Sequence, residues 1–384
     1  MELSTELPSL EAELASIAEI TEPGRTARIA VRHWGWDGRG GATLEATGRE
    51  FHDITRERVR QLCERIARRL REPGAAVPPA PVLDAALVLA AQVTPTTAHA
   101  LGRRLADAHV AARPFDPAGL LTAAAALGRD PTFTLDVVKG VRVALPSPPD
   151  PDADPRDVIA AILNTARSVV RRAGAVRVGD VTGRVAASLG AWVEDELVTA
   201  VVSEPDDFAW LEGRSGWFYL PSVARNSVVS RVIKVLSVSG GLSLTELHAG
   251  IRRDERMKDF VMPEYILAEL CARIPDVAVH GGGVALLRPI APRDVLETTE
   301  LTLVRILTGH GGPMDRHDLE RACAAAGMKA SSFNNRIAYS PIIAERGNGR
   351  FGLRGGRPAE GGADDVPEPP RAGGIDDFPP GHRR

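Results

Sequence analysis

Two proline-dense segments decide what this chain can fold into: Glu72 to Pro81 reads EPGAAVPPAP, and Pro146 to Pro155 reads PSPPDPDADP. Proline fixes φ and lacks an N–H, so neither stretch suits a helix interior or a central strand, and both read as extended connectors. They cut the 384 residues into lengths that suit several small modules better than one large core. Residues 355–384 are rich in Gly and Pro, carry the acidic pairs Asp364–Asp365 and Asp376–Asp377, and offer almost no bulky apolar side chain. Such a segment does not offset its ordering entropy and is expected to be a disordered tail.

Between these segments the hydrophobic pattern changes block by block. Residues 7–72 read as all-helical, with Leu10, Leu14 and Ile17 at helical spacing behind a capping residue, Ser9. Residues 82–145 read as a helical module of uncertain type: three alanine-rich helices, then a strand-like stretch from Val137 to Leu145. The remainder repeats one plan three times, over 157–222, 226–289 and 296–354. Each copy has three helices, then two strands around a glycine-containing turn. In the last copy these are Ile342-Ile-Ala, Arg346-Gly-Asn-Gly and Arg350-Phe-Gly-Leu. A helix triplet closed by a hairpin is the outline of a winged helix. The expected fold is mainly α: an N-terminal helix-turn-helix bundle, tandem winged-helix-like modules (α plus β-hairpin) and the tail.

Composition narrows the function. The three cysteines, Cys63, Cys271 and Cys323, show neither C-x-x-C spacing nor a His at finger spacing, so buried reduced thiols are expected and a zinc site is not. No basic segment leads into an apolar one at the start, and the most apolar run, Ala85 to Val93, is about half a membrane span. A cytoplasmic protein without membrane attachment is expected. Gly281-Gly-Gly and Gly38-Arg-Gly-Gly lack the strand-then-helix context and the Lys-Ser/Thr of a phosphate loop. His248, His280, His310 and His317 are scattered, and neither G-x-S-x-G nor H-E-x-x-H occurs. The expectation is a non-enzyme with no cofactor and no metal.

A net charge of −3 argues against indiscriminate coating of nucleic acid. The charge is segregated, however. The first 22 residues hold six glutamates and no Lys or Arg, whereas Arg56 to Arg71 holds seven arginines against two glutamates. Thr55 is placed to cap that second stretch as a helix. At 100° per residue Val59, Leu62, Ile66 and Leu70 fall within about 80° and form a buried stripe. Glu57, Arg60, Gln61, Glu64 and Arg68 lie opposite, flanked by Arg56 and Arg58. A recognition helix needs this division: one side packs, while Arg and Gln near the N-terminus reach base edges and arginines further along meet phosphates.

The string Thr55-Arg-Glu-Arg-Val-Arg-Gln, preceded by Thr43-Leu-Glu, resembles region 4.2 of the sigma-70 family. Upstream, Thr26-Ala-Arg-Ile-Ala-Val-Arg-His-Trp-Gly-Trp-Asp resembles the region 4.1 helix and its loop. The resemblance covers about residues 7–72. It implies that Arg56, Glu57, Arg60 and Gln61 face a −35-like promoter element and that Arg58 and Arg65 support them on the backbone. Thr55 and Arg68 complete the expected DNA-binding set. The turn His52-Asp-Ile-Thr is one residue longer than the family turn, and the chain has no aromatic-rich segment like the one sigma factors use to melt promoters.

The third helix of the last copy adds secondary DNA-binding candidates Asn334, Asn335 and Arg336, and its wing adds Arg346 and Arg350. In the preceding copy Arg252, Arg253, Arg256 and Lys258 are interrupted by Asp254, Glu255 and Asp259, which reads as a solvated surface. The expected function is sequence-specific binding of double-stranded DNA by a transcription regulator that lacks the promoter-melting part of a sigma factor. The alternative is an adaptor docking on RNA polymerase, or a nucleic-acid-binding subunit of a larger assembly such as a phage-defence complex. The sequence does not fix the oligomeric state.

Overall fold

The structure, a computed structural model, describes residues 8–52, 54–72, 79–148, 154–190, 192–257 and 260–355. The two proline-dense connectors, apart from their ends, and the tail beyond Gly355 lie outside the described residues. The described chain is mainly helical, with small three-stranded antiparallel sheets.

The first block holds α1 (Leu10–Thr21), α2 (Arg25–Trp34), α3 (Leu44–Glu50) and α4 (Arg56–Arg71). The second holds α5 (Pro81–Val93), β1 (Thr96–Thr97), α6 (Ala98–Asp107), α7 (Pro117–Ala126), β2 (Phe133–Val138) and β3 (Val141–Pro146). Next come α8 (Pro155–Ala173), β4 (Val176–Arg177), α9 (Val178–Leu189), α10 (Asp195–Ser203), β5 (Ala209–Glu212) and β6 (Trp217–Tyr219). Then follow α11 (Ser227–Ser239), β7 (Gly241–Ser243), α12 (Leu244–Arg253), a 3-10 turn (Glu255–Met257), α13 (Glu264–Cys271), β8 (Val277–His280) and β9 (Gly283–Leu286). The last stretch has α14 (Pro292–Val295), α15 (Thr298–His310), β10 (Met314–Asp315), α16 (Arg316–Ala325), α17 (Ala330–Tyr339), β11 (Ile343–Glu345) and β12 (Arg350–Leu353).

One order, helix–strand–helix–helix–strand–strand, therefore occurs four times among the described residues. Each sheet places its last strand in the middle: β1-β3-β2, β4-β6-β5, β7-β9-β8 and β10-β12-β11. The block 82–145, read from sequence as helices of uncertain type, shares this order with the later three. Its hairpin is hidden in the sequence because Lys139 and Gly140, at φ of 50° and 87°, turn the chain inside what reads as one strand. In all four copies the last residue of the first strand is the N-cap of the next helix, and in three its side chain makes the cap bond. Thr97 caps α6 by accepting from the Ala100 N–H, Ser243 caps α12, and Asp315 caps α16.

The described residues fall into two compact units, Met1–Ser230 with Val261–Ile274, and Arg231–Phe260 with Pro275–Arg384. In the first unit, blocks one and two share a single core: Leu10, Leu14, Ile17, Trp36, Val59 and Ile66 are buried together with Leu83, Leu101, Phe115, Leu120 and Phe133. Polar contacts pin this union. The buried Glu13 carboxylate accepts from the Val82 and Leu83 N–H groups at 3.0 and 2.9 Å, satisfying the open N-terminus of α5. The buried Trp36 donates its indole N–H to Thr122 Oγ1 at 3.2 Å, and Thr122 donates to the Trp34 carbonyl at 2.8 Å. Arg142 grips Asp116 with two bonds of 2.8 and 2.9 Å. The hairpin of block two has two faces: Phe133 and Ala144 join this core, while Val141, Val143 and Leu145 join a second one with Ile159, Ile162, Val181, Val198 and Phe218.

The second unit is organised around a buried carboxylate. Glu300, 1% exposed, accepts from Lys234 Nζ at 2.9 Å, from the Glu297 N–H at 3.1 Å and from Ser340 Oγ at 3.1 Å. Arg354 is buried as well, and its guanidinium donates to the Pro341, Ile343 and Glu246 carbonyls. A buried charge is tolerable only with such complete partnering.

Candidate nucleic-acid interface

Helix α4 is built as its sequence dictates. Thr55 Oγ1 accepts from the Arg58 N–H at 3.2 Å and starts the helix, and Glu57 sits in the first turn, where negative charge suits the helix dipole. Val59, Leu62, Cys63, Ile66 and Leu70 are buried, so the apolar stripe includes one residue, Cys63, beyond those the periodicity marks. Helix α3 begins the same way, with Thr43 Oγ1 accepting from the Ala46 N–H at 3.1 Å. The two helices meet closely at Gly48. Its carbonyl accepts from the Ile54 N–H at 3.1 Å, and a Cβ on Gly48 would lie 2.3 Å from the Ile54 carbonyl oxygen. His52, at φ of 57°, takes the left-handed conformation that reverses the chain between them.

The arginines of α4 divide into three sets. Arg65 and Arg69 turn back to the end of α1: both pair with Glu22, and Arg69 also donates to the Thr21 carbonyl at 3.1 Å. They are tied to the fold. Arg60 lies between Glu57 and Glu64, and Gln61 Nε2 donates to Glu57 at 3.3 Å. The Arg60 hydrogen bond holds the Glu57 carboxyl below its ordinary range, and the Glu57 bond in turn holds Arg60 firmly protonated. The third set is open. Arg56 is 74% exposed and reaches Glu45 at 3.4 Å, while Arg58, Arg68 and Arg71 are exposed and make no ion pair among the described residues.

Counting Glu22 and Glu45 with Glu57 and Glu64 sets seven arginines against four carboxylates, a surplus of three on this helix and its surroundings. That surplus is Arg58 near the N-terminal end, with Gln61 and the Glu45-paired Arg56 beside it, and Arg68 and Arg71 toward the C-terminal end. Of the sequence candidates, Arg56, Glu57, Arg58, Arg60, Gln61 and Arg68 lie on exposed surface, Thr55 is spent as a cap, and Arg65 is half-buried against α1. The Glu22 pairing was not legible in the sequence, because Glu22 precedes Arg65 by 43 positions.

In the second unit the secondary candidates also separate. Asn335 is exposed, and Asn334 accepts from Arg316 at 2.7 Å. Arg336 is turned inward, donating to Thr299 Oγ1 at 2.9 Å and pairing with Glu297. Arg350 donates to the Pro313 carbonyl at 2.6 Å, and Arg346 donates to the Leu353 carbonyl at 3.0 Å, with Glu246 at 3.9 Å. Arg316 is a residue that pattern reading passed over: it opens a helix and has no apolar periodicity to mark it.

Among the described residues no three His, Cys, Asp or Glu side chains gather as metal ligands, and no helix is long and apolar enough to cross a membrane. The three cysteines are buried free thiols. The chain matches no protein-family model and no curated protein.

Proposed function

We propose that the chain is a sequence-specific double-stranded DNA-binding protein whose reader is α4, held by a helix-turn-helix that resembles sigma region 4, with winged-helix-like modules behind it. The observation that carries this reading is the division of α4. One face is buried from Val59 to Leu70, while the N-terminal end projects Arg56, Arg58 and Gln61 with no apolar side chain among them. Arginine and glutamine make bidentate bonds to guanine and adenine edges, and further arginines such as Arg68 meet phosphates. Arg60 reaches a base only by leaving Glu57 or Glu64, so its part is conditional on exchanging one exposed ion pair for another contact, an exchange of small cost.

The test is selection of random duplexes by the full chain, repeated with Arg56, Arg58 and Gln61 changed together to Ala. A defined motif in the wild type that vanishes in the triple variant is the expected result. Arg65→Ala with Arg69→Ala serves as the comparison, expected to lower stability and to leave the motif intact. Absence of any motif at moderate salt, or its survival in the triple variant, overturns the assignment.

A further inference from the structure

The four sheet-bearing modules differ in the helix that precedes the hairpin. Helix α7 has no charged residue, α10 begins with Asp195 and Glu196, and α13 carries Glu264 and Glu269. A polyanion is not drawn to any of them. Helix α17 is the exception. It contains no carboxylate, buries Phe333 and Ile337, and exposes Ser331, Asn334, Asn335 and Ala338. At 100° per residue these four lie within about 100°, on one face.

One basic group touches that face and two more lie near it along the chain and the hairpin. Arg316, the first residue of α16, donates its backbone N–H to the Gly349 carbonyl at 3.2 Å and its side chain to Asn334 Oδ1 at 2.7 Å. It therefore joins the hairpin turn to α17. The turn itself, Gly347-Asn348-Gly349, has positive φ at all three positions, which brings bare backbone to the surface. Arg350 leaves the turn opposite Asp315, whose carboxylate is engaged in capping α16. Lys329 stands immediately before α17. The nearby acids are few: Asp318 is paired with Arg321, Glu320 is half-buried and Glu345 is exposed.

We propose that this surface is a second duplex-DNA contact, with Arg316, Lys329 and Arg350 on phosphates and Asn335 directed to a base edge. The other three modules make no such contact. The proposal goes beyond the α4 assignment and rests on that reading only in taking the same class of partner. The uncharged face of α17 allows close approach to a groove, and Arg316, which touches it, with Lys329 and Arg350 nearby, supplies the attraction that phosphates reward.

The test uses the full chain and a duplex bound across a salt series. Removing two phosphate contacts, by Arg316→Ala with Arg350→Ala, should lower the slope of log affinity against log salt by about 1.8. That corresponds to a loss of roughly 60-fold at 0.1 M salt that disappears toward 1 M. Because Arg316 also holds Asn334, a second variant, Ser331→Asp with Asn335→Asp, places charge on the open face without touching that bond. It should weaken binding while leaving the thermal melt unchanged. Wild-type slope and affinity in both variants overturn the proposal. If they do so while the α4 variants lose their motif, only this second contact falls. A reduced slope here, with the selected motif surviving in the Arg56, Arg58 and Gln61 triple variant, would support this surface and overturn the α4 assignment. No duplex binding even at low salt overturns both.

Discussion

Replacing Gly48 with Ala should destabilise the α3–α4 pair, although the same change at Gly183 should stabilise its own helix. Both glycines lie within helices, where Ala is intrinsically better by about 1 kcal/mol. Nothing lies within 4 Å of a Cβ at the exposed Gly183, so the full propensity gain of Gly183→Ala is expected there. At Gly48 the new Cβ would lie 2.3 Å from the Ile54 carbonyl oxygen. Ordinary van der Waals contact requires the turn to retreat by more than an ångström. The Ile54 N–H bond to the Gly48 carbonyl sits in the same place, and its loss costs about 1 kcal/mol. Overpacking of this kind costs about 1–3 kcal/mol, so after the propensity gain the net is destabilising by about 1–3 kcal/mol. Amide hydrogen exchange across α3 and α4 reads this as protection lost by roughly 5- to 150-fold. Duplex binding should fall as well, because the retreat re-aims Arg56 and Arg58. Equal protection in Gly48→Ala and wild type, or a loss in Gly183→Ala, would refute the steric reasoning.

Two further outcomes follow from titratable groups. Burial pulls the Asp116 carboxyl upward, but the Arg142 hydrogen bonds and the Ala118 N–H outweigh it and leave it below its ordinary value of 3.8. A depressed folded-state pKa contributes stability above the ordinary value and loses it as pH falls through the folded one. Asp116→Asn should therefore be less stable than wild type at neutral pH, and the two urea midpoints should converge below about pH 3.8; a gap that persists at low pH would refute the assignment. Burial pushes the Cys63 and Cys271 thiols up to about 12 and the Cys323 thiol up to about 11. A thiol reagent at pH 8 should leave all three untouched in the native chain and label them in denaturant, and rapid native labelling of any one would contradict its burial.

What was legible in the sequence is what depends on neighbours along the chain. Thr43 and Thr55 announce their helices because a cap acts over three residues, and the α4 stripe follows from the helical period. The exposed set at Arg56, Arg58 and Gln61 comes from the same arithmetic. What was hidden depends on distant partners. The periodicity that puts Arg65 near the surface says nothing of Glu22, which removes it from the solvent-facing set. Arg336 reads as a base reader by type, but Glu297 and Thr299 hold it. Strand β1 is two residues long and has no pattern of its own, so the sheet order shared by all four modules appears only once pairing is seen. The proline-dense segment after α4 reads as a divider between modules, and no local signal reveals that Glu13 and Trp36 reach past it.

That union bears on how α4 would meet a duplex under the proposed function. With Leu70 buried on one side of the segment and the Val82 and Leu83 amides bonded on the other, its two flanks belong to one body. Doubling the length of chain between two flanks fixed in this way costs only about 0.6 kcal/mol, so insertions between them should be tolerated. Block two is thus no swinging arm whose freedom must be surrendered on docking. Its orientation relative to α4 is settled during folding, and on the proposed reading α4 would meet a groove as part of a body about twice the size of its own module.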